Sequence, residues 1–312
     1  MIESEPQLLV SVVVATFNRS NVLRLTLESI RWQTINDFEV WVIGDACTDD
    51  TEEVVAAIDD SRFHFFNLEQ NVGEQSGPNN EGVRRSRGKY IAFLNHDDLW
   101  WPDHLETLLA GIEHNNADFV FSMVDSVKSE KGRWNIHRTN GAGAKLQYDP
   151  RVHAPASCWL FRRELVEKVG PWHFYQDSHL WPSHDWLYRA SKKGVNMQMV
   201  PWLTVATFPS GKRKNSYLDG DDSEQKRFME RMKNEKEFRA RELADIALGY
   251  RMHWLDFQAP EDLIRQAFRN IWQKLALKAG IHPIAISNTM RFHRKGWRLD
   301  VLRKNRGLKP LR

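Results

Sequence analysis

Asp97 and Asp98 stand side by side in YIAFLNHDDLWWP (90–102), directly after a run that reads as a buried strand. Adjacent carboxylates at a strand's end suit a hard divalent cation, manganese or magnesium, because such ions take oxygen ligands and draw few of them from protein. A cation held there would bridge the chain to a phosphate-bearing ligand. The same pair also suits the positive N-terminus of a helix begun at Pro102, and the two aspartates alone do not choose between these uses.

Two more loops follow strand-like runs and bear on that choice. VVVATFNR (12–19) carries Thr16, Phe17, Asn18 and Arg19 past a β-branched stretch, and VIGDACTDDT (42–51) carries Asp45 past another. The backbone around Thr16 and Phe17 can frame a nucleotide base, and Asp45 can accept a hydrogen bond from its ring imide. Taken singly, Asp45 reads as a turn residue; three strand ends converging on one sheet edge favour a ligand, since open α/β sheets bind at that edge. NVGEQSGPNNEGVRRSRGKY (71–90) adds Gly73, Gly77, Gly82, Asn79 and Asn80, read as a flexible loop able to approach a ligand closely. In PSGKRKNS (209–216), Lys212, Arg213 and Lys214 fit either a mobile loop closing over a diphosphate or a solvated basic turn.

The elements that must position these residues alternate. Strands are expected at 8–15, 38–44, 63–66, 90–94 and 117–124. Helices are expected where Leu23, Leu27 and Ile30 share a face, at 51–58, and from Pro102 through Leu105, Leu108, Leu109 and Ile112. Repeated βα units imply a mostly parallel sheet covered by helices. The segment 126–210 is less regular and rich in tryptophan, and from 223 onward the chain reads as helical. PEDLIRQAFRNIWQKLALKAG (260–280) opens with proline and acids, closes with glycine, and has an apolar stripe through Leu263, Ile264, Phe268, Ile271, Trp272 and Leu275.

A chain of 312 residues can hold one large α/β domain with an appendage. The formal charge of +3 argues against a general nucleic-acid binder. Cations concentrate between Arg291 and Arg312, where nine Lys or Arg face the single acid Asp300 and interleave with Phe292, Trp297, Leu299, Val301, Leu302 and Leu308. Such a tail can bind an anionic membrane surface or dock on its own protein. Cys47 and Cys158 are far apart and lack metal-ligand spacing, which fits a reducing cytoplasm. No apolar run reaches bilayer length, and Glu3 and Glu5 stand where a secretory signal would be basic.

Over roughly 9–208 the chain resembles a family 2 glycosyltransferase of the GT-A type. Four blocks in the expected order carry the resemblance: SVVVATFNRSNVLRLTLESIRWQT, FEVWVIGDACTDDT, NVGEQSGPNNEGVRRSRGKYIAFLNHDDLWWPDHLE, and ASCWLFRRELVEKVGPW with SHDWLYRASKKG. The resemblance implies an α/β/α sandwich with a mostly parallel central sheet and a helical C-terminal extension. The transferase domain would span 1–222, with a nucleotide-binding half at 1–125 and an acceptor half at 126–222, followed by helices over 223–312. It implies that Asp45 and the first strand's loop hold the base. Asn95, His96 and Asp97 then correspond to the D-x-D element, Asp97 is the leading metal ligand, and Asp98 is its neighbour.

Asp185 matches the base-bearing helix start, with His184 and Asp177 behind it, although in isolation Asp185 is an ordinary first-turn acid. Trp100, Trp101, Trp181 and Trp186 flank the expected site and can stack on sugar rings. The chain departs from the family at Asn95, where a carboxylate is common, at Gly44, where a second aspartate often stands, and at Asn79, where arginine is frequent.

The resulting expectation is an inverting, cation-dependent transfer of a sugar from a nucleotide-diphosphate donor, most simply UDP-linked, to a glycan or lipid-linked acceptor in cell-surface polysaccharide or glycolipid synthesis. The enzyme would be cytoplasmic and able to sit on the membrane. A non-catalytic sugar-nucleotide or glycan-binding module on the same fold is the alternative that Asn95 favours. A sugar nucleotidyltransferase would want a glycine-rich basic signature after the first strand, which TFNRSN does not supply.

Overall fold

The computed structural model describes residues 8–127, 146–210, 214–256, 260–292 and 294–311. Lys212 and Arg213, two of the three cations expected over a diphosphate, lie outside the described residues. The chain begins with β1 (Val10–Thr16), α1 (Ser20–Arg31), β2 (Phe38–Gly44), α2 (Thr51–Ala56), β3 (Phe63–Asn67), α3 (Ser76–Arg85) and β4 (Tyr90–Phe93). Then come β5 (Leu99–Trp100), α4 (His104–His114), β6 (Phe119–Ser126), β7 (Trp159–Arg162), α5 (Leu165–Val169), α6 (Pro182–Lys192) and β8 (Met197–Thr207). Helices α7 (Ser223–Asn234), α8 (Phe238–Asp256), α9 (Pro260–Lys278), α10 (Pro283–Phe292) and α11 (Trp297–Asn305) complete it.

One eight-stranded sheet has the order β3-β2-β1-β4-β7-β6-β8-β5. Pairs β1/β2, β2/β3, β1/β4 and β6/β8 are parallel; β4/β7, β6/β7 and β5/β8 are antiparallel. Val10, Val12, Val13 and Val14 of β1 are all completely buried, which requires cover on both faces of the sheet. Leu23, Leu27 and Ile30 of α1, also completely buried, supply part of that cover. Chain order reverses at β1, with β2 on one side and β4 on the other, so a crevice opens at the carboxyl ends of these three strands. Thr16 pairs with Gly44, and the β4 ladder stops at Val13↔Phe93, so 94–98 leaves the sheet one turn below the tips of β1 and β2.

Three expectations are corrected. The stretch 71–90 is not one loop, because α3 occupies its middle. Gly82 permits this: a Cβ there would lie 2.3 Å from Val13 Cγ1, so only glycine lets the helix lie this close to β1. The helix expected from Pro102 begins at His104, and β5 intervenes between it and the paired aspartates, which rules out their use as its cap. The irregular middle contains β7 and β8, the latter an 11-residue strand paired along β6.

The helical run from 223 packs on the sheet. Phe228, Met229, Phe238 and Ile246 form an apolar cluster with Leu25, Leu99, Trp101, Leu203, Ala206 and Phe208; burying each such large side chain contributes about 1.5–3 kcal/mol. The apolar stripe of α9 is exposed instead, with Phe268 at 71%.

Candidate active site

A cleft of about 230 Å³ opens where β1, β2 and β4 end. Its walls come from Thr16 and Phe17 after β1, Asp45 after β2, the 73–75 turn before α3, and Asn95, His96 and Asp97 after β4. Trp181 and Pro182 at the start of α6 close one side, and Tyr217 with Leu299, Leu302, Arg303, Arg306 and Leu308 closes another.

Asp45 is nearly fully buried and is gripped by the turn beside it. The backbone amides of Val72 and Gly73 each donate to its carboxylate at 2.7 Å, and Asn71 Nδ2 donates at 3.1 Å. Burial raises its pKa, against the lowering effects of the two amides and of the Arg303 charge. Gly73 reaches its position with φ +83, a conformation that favours glycine. Glu74, next along, is half-buried against Ser76 and pushed up to about 7 by desolvation.

The four residues after β4 divide their work. Thr26 on α1 pins the loop, its hydroxyl lying 2.9 Å from the carbonyls of both His96 and Asp98. Asp98 turns inward: Asn95 Nδ2 donates at 2.9 Å, Phe208 N at 3.2 Å, and the Ser157 hydroxyl also donates. Burial first, and the adjacent Asp97 second, raise its pKa. Asp97 faces the cleft and forms an ion pair with Arg19 at 3.9 Å. Burial pushes His96 down to about 4, so at neutral pH Nδ1 can donate to the Ala15 carbonyl (3.1 Å) and Nε2 can accept from the Tyr217 hydroxyl (3.3 Å).

Residues 11–170, half of the chain, match the family model Glycosyl transferase family 2. The chain belongs to glycosyl transferase family 2. An uncharacterised glycosyltransferase of Rickettsia felis is 38% identical over 127 residues, covering 40% of this chain and 20% of that protein. The Bacillus subtilis glycosyltransferase YwdF is 31% identical over 63% of this chain and 72% of its own. The putative teichuronic acid biosynthesis glycosyltransferase TuaG of the same organism is 31% identical over 36% and 46%. Against three of the Rickettsia relatives the match spans a fifth of their length or less. In fold, S. aureus TarS in complex with UDP-GlcNAc superposes with a TM-score of 0.55 at 17% identity, over 79% of this chain and 72% of that one. At that identity the likeness speaks for the fold alone.

Within this family 2 chain, the cleft gathers Thr16, Phe17, Asp45, Gly73, Asn95, His96, Asp97 and Trp181 from the residues expected at the site. Others sit elsewhere. Asn18 exchanges hydrogen bonds with Thr48, and Asn80 brackets the backbone of Trp172 at 2.8 and 3.0 Å. Asn79 is buried in α3, and Lys214 is exposed off the cleft wall. Trp100, Trp101 and Trp186 do not flank the cleft but fill the core, where Trp100 stacks on His104 and Trp186 packs on Trp159 and Phe161.

His184 is buried and stacked on His153 with ring centroids 4.1 Å apart, away from the cleft wall. Asp185 lies one turn beyond Trp181, its Oδ2 2.8 Å from Arg189 Nε and 3.0 Å from His173 Nδ1. Asp177 closes a short 3-10 turn before α6. The sequence reading missed Glu74, Tyr217, Arg303 and Arg306. Glu74 stood in view between Gly73 and Ser76, whereas nothing local to 299–308 marks it as a wall of a site built from residues 16–97.

For a cation, the donor set is narrow. Asp97 is the one carboxylate at the 95–98 end of the cleft, since Asp98 spends its oxygens inward, and among the described residues no group of three His, Cys, Asp or Glu is placed to hold a metal. One carboxylate fits an ion that also takes ligands from a donor's phosphates and from water, as magnesium commonly does. Asp97 would hold it, and the ion would supply positive charge to the phosphates.

Proposed function

We propose that this chain transfers a sugar from a UDP-linked donor to an acceptor hydroxyl with inversion. The observation that carries the reading is that one cleft joins Asp45, framed by backbone amides, to Asp97 across the end of β1, which lies between the strands that carry them, so that base and diphosphate of one nucleotide can be held together. Asp45 accepts from the imide of the base, with Thr16 and Phe17 beside it. Arg19 balances phosphate charge, and a manganese or magnesium ion on Asp97 is the cofactor.

Asp185 acts as general base. It sits on the same face of α6 as Trp181, to whose carbonyl its own amide is bonded at 2.9 Å, and its carboxylate is oriented by Arg189 and His173. The acceptor oxygen attacks the anomeric carbon and its proton passes to Asp185. The bond from carbon to the diphosphate oxygen breaks, its electron pair leaving with UDP. Trp181 stacks on a sugar ring. Support for the donor comes from the fold neighbour crystallised with UDP-GlcNAc, and support for a cell-surface polymer as acceptor from the name of TuaG.

Calorimetric titration with UDP, dTDP and GDP, each with manganese and with chelator, tests the reading. UDP is expected to bind most tightly with metal, and Asp97→Ala to abolish the metal dependence. Asp185→Asn is expected to bind UDP as the parent does and to transfer at least about 100-fold more slowly. Absence of binding by the folded parent to all three nucleotides, or full transfer by Asp185→Asn, would remove the corresponding part of the proposal.

A further inference from the structure

The wall of the cleft formed by the C-terminal segment carries positive charge that the described residues pair only in part. Two guanidinium groups lie against the Tyr217 ring, Arg19 at 5.0 Å and Arg306 at 5.3 Å from its centroid. Arg19 Nη1 and Arg306 Nε are buried and lack a hydrogen-bond partner. Arg19 has the 3.9 Å ion pair to Asp97, and Arg306 has no ion pair among the described residues. A buried donor left unpaired costs about 1–3 kcal/mol, and two guanidinium groups against one phenol ring also repel each other. An anion with several oxygens that reaches both groups would offset both costs.

The segment is fixed well enough to aim those groups. Arg303 is buried and donates from Nη1 to the Gly73 carbonyl at 2.6 Å and from Nε to the Lys309 carbonyl at 2.9 Å. The first of these bonds ties α11 to the turn that grips Asp45. Asn215 N donates to the Asn305 carbonyl at 2.8 Å and Tyr217 N to the Arg306 carbonyl at 3.1 Å, so Tyr217 and Arg306 are presented as a unit. The Tyr217 hydroxyl in turn reaches His96, beside Asp97.

We propose that α11 and the residues after it complete the donor site, with Arg306 and Arg19, both held against Tyr217, binding the diphosphate. This rests on the reading of the cleft as a nucleotide-sugar site. It assigns to Arg306 a share of the positive charge that the chain lacks at Asn79, where arginine is frequent. Arg303 is a positioning residue: it seats the segment and does not itself touch the donor.

Calorimetry on the full chain tests this with three probes: UDP, uridine and inorganic pyrophosphate. Arg306→Gln is expected to weaken UDP and pyrophosphate by about ten- to a hundredfold, the range for losing a hydrogen bond to a charged group, and to leave uridine unchanged. Arg306→Lys keeps the charge without the planar fork and is expected to fall between. Lys304→Gln, exposed on α11, is expected to match the parent, and thermal unfolding checks that each variant is folded.

Equal affinity of the parent and a folded Arg306→Gln for both phosphate probes would overturn the assignment, as would an equal loss for uridine. Should Arg306→Gln not fold, Arg306→Lys binding both phosphate probes as the parent does would overturn it. If the parent binds pyrophosphate through Arg306 but no nucleotide, the anion site stands and the nucleotide-sugar reading fails. If the parent binds none of the three, both fail.

Discussion

Asp97 and Asp98 differ by one position and do opposite things. The backbone turns between them, so Asp97 points into the cleft while Asp98 collects hydrogen bonds from Asn95, Ser157 and Phe208. Asn95, a departure from the family's usual carboxylate, therefore serves as a donor to Asp98, a bond that a second ionised acid could not make. Asp98→Ala strips a partner from three donors in the interior and is expected to lower unfolding free energy by about 3 kcal/mol. Asp97→Ala, which removes only the 3.9 Å pair with the buried Arg19, is expected to cost less, about 1 kcal/mol. Urea denaturation of the two variants makes the comparison; equal losses would mean that Asp97 is also a structural acid.

At the scale of elements, the cleft depends on how closely helices approach β1. α3 lies over β1 and β2 at Gly82, where an added methyl would fall 2.3 Å from Val13 Cγ1 and 3.3 Å from Ile43 Cγ1. That methyl would push α3 and the 71–75 turn outward, and with them the amides that grip Asp45. Gly82→Ala is expected to cost about 1–3 kcal/mol despite alanine's better helix propensity and to weaken UDP binding. A stability gain would show that the contact has room to relax. α6 plays the matching part on the far wall, where its first turn presents Trp181 and Pro182 to the cleft.

Among the described residues several histidines are buried. Desolvation pushes His96 and His153 down to about 4 and His104 to about 3, and holds His184 well below its ordinary value. A histidine neutral in the folded state but protonated in the unfolded one contributes stability that is complete above pH 6.5 and lost as pH falls toward the folded pKa. Desolvated acids act with the opposite sign: Glu74 and Asp98, with raised pKa values, bind protons more readily folded than unfolded.

The sum is therefore mixed, and a single substitution isolates the histidine part. His184→Phe keeps a flat ring against His153 and is expected to gain about 2 kcal/mol relative to the parent between pH 7 and pH 5, with transfer activity retained. Urea midpoints at the two pH values read it, and a pH-independent difference would contradict it. On the same scale, the basic tail is docked: Arg294 pairs with Asp300, Arg298 lies over Trp181, and Arg303 is bonded to Gly73. The large exposed apolar stripe is on α9.

Much of the first half was written locally. Consecutive valines in β1, the Leu23–Leu27–Ile30 spacing and the polar residues after each strand are nearest-neighbour signals, and they sufficed for every strand of that half but β5, for the parallel pairing of β1 to β4 and for the edge that carries Asp45 and Asp97. What local pattern could not decide was direction and distance. Trp100, Trp101 and Trp186 have the composition of sugar platforms but face the core, because each is placed by the strand or helix it lies on. α3 was hidden by its glycines and asparagines, whose poor helix propensity is outweighed by packing on β1. Arg306 and Tyr217 join the site from beyond residue 210 through backbone contacts that exist only once the chain has closed on itself, and no periodicity within their own segment encodes that meeting.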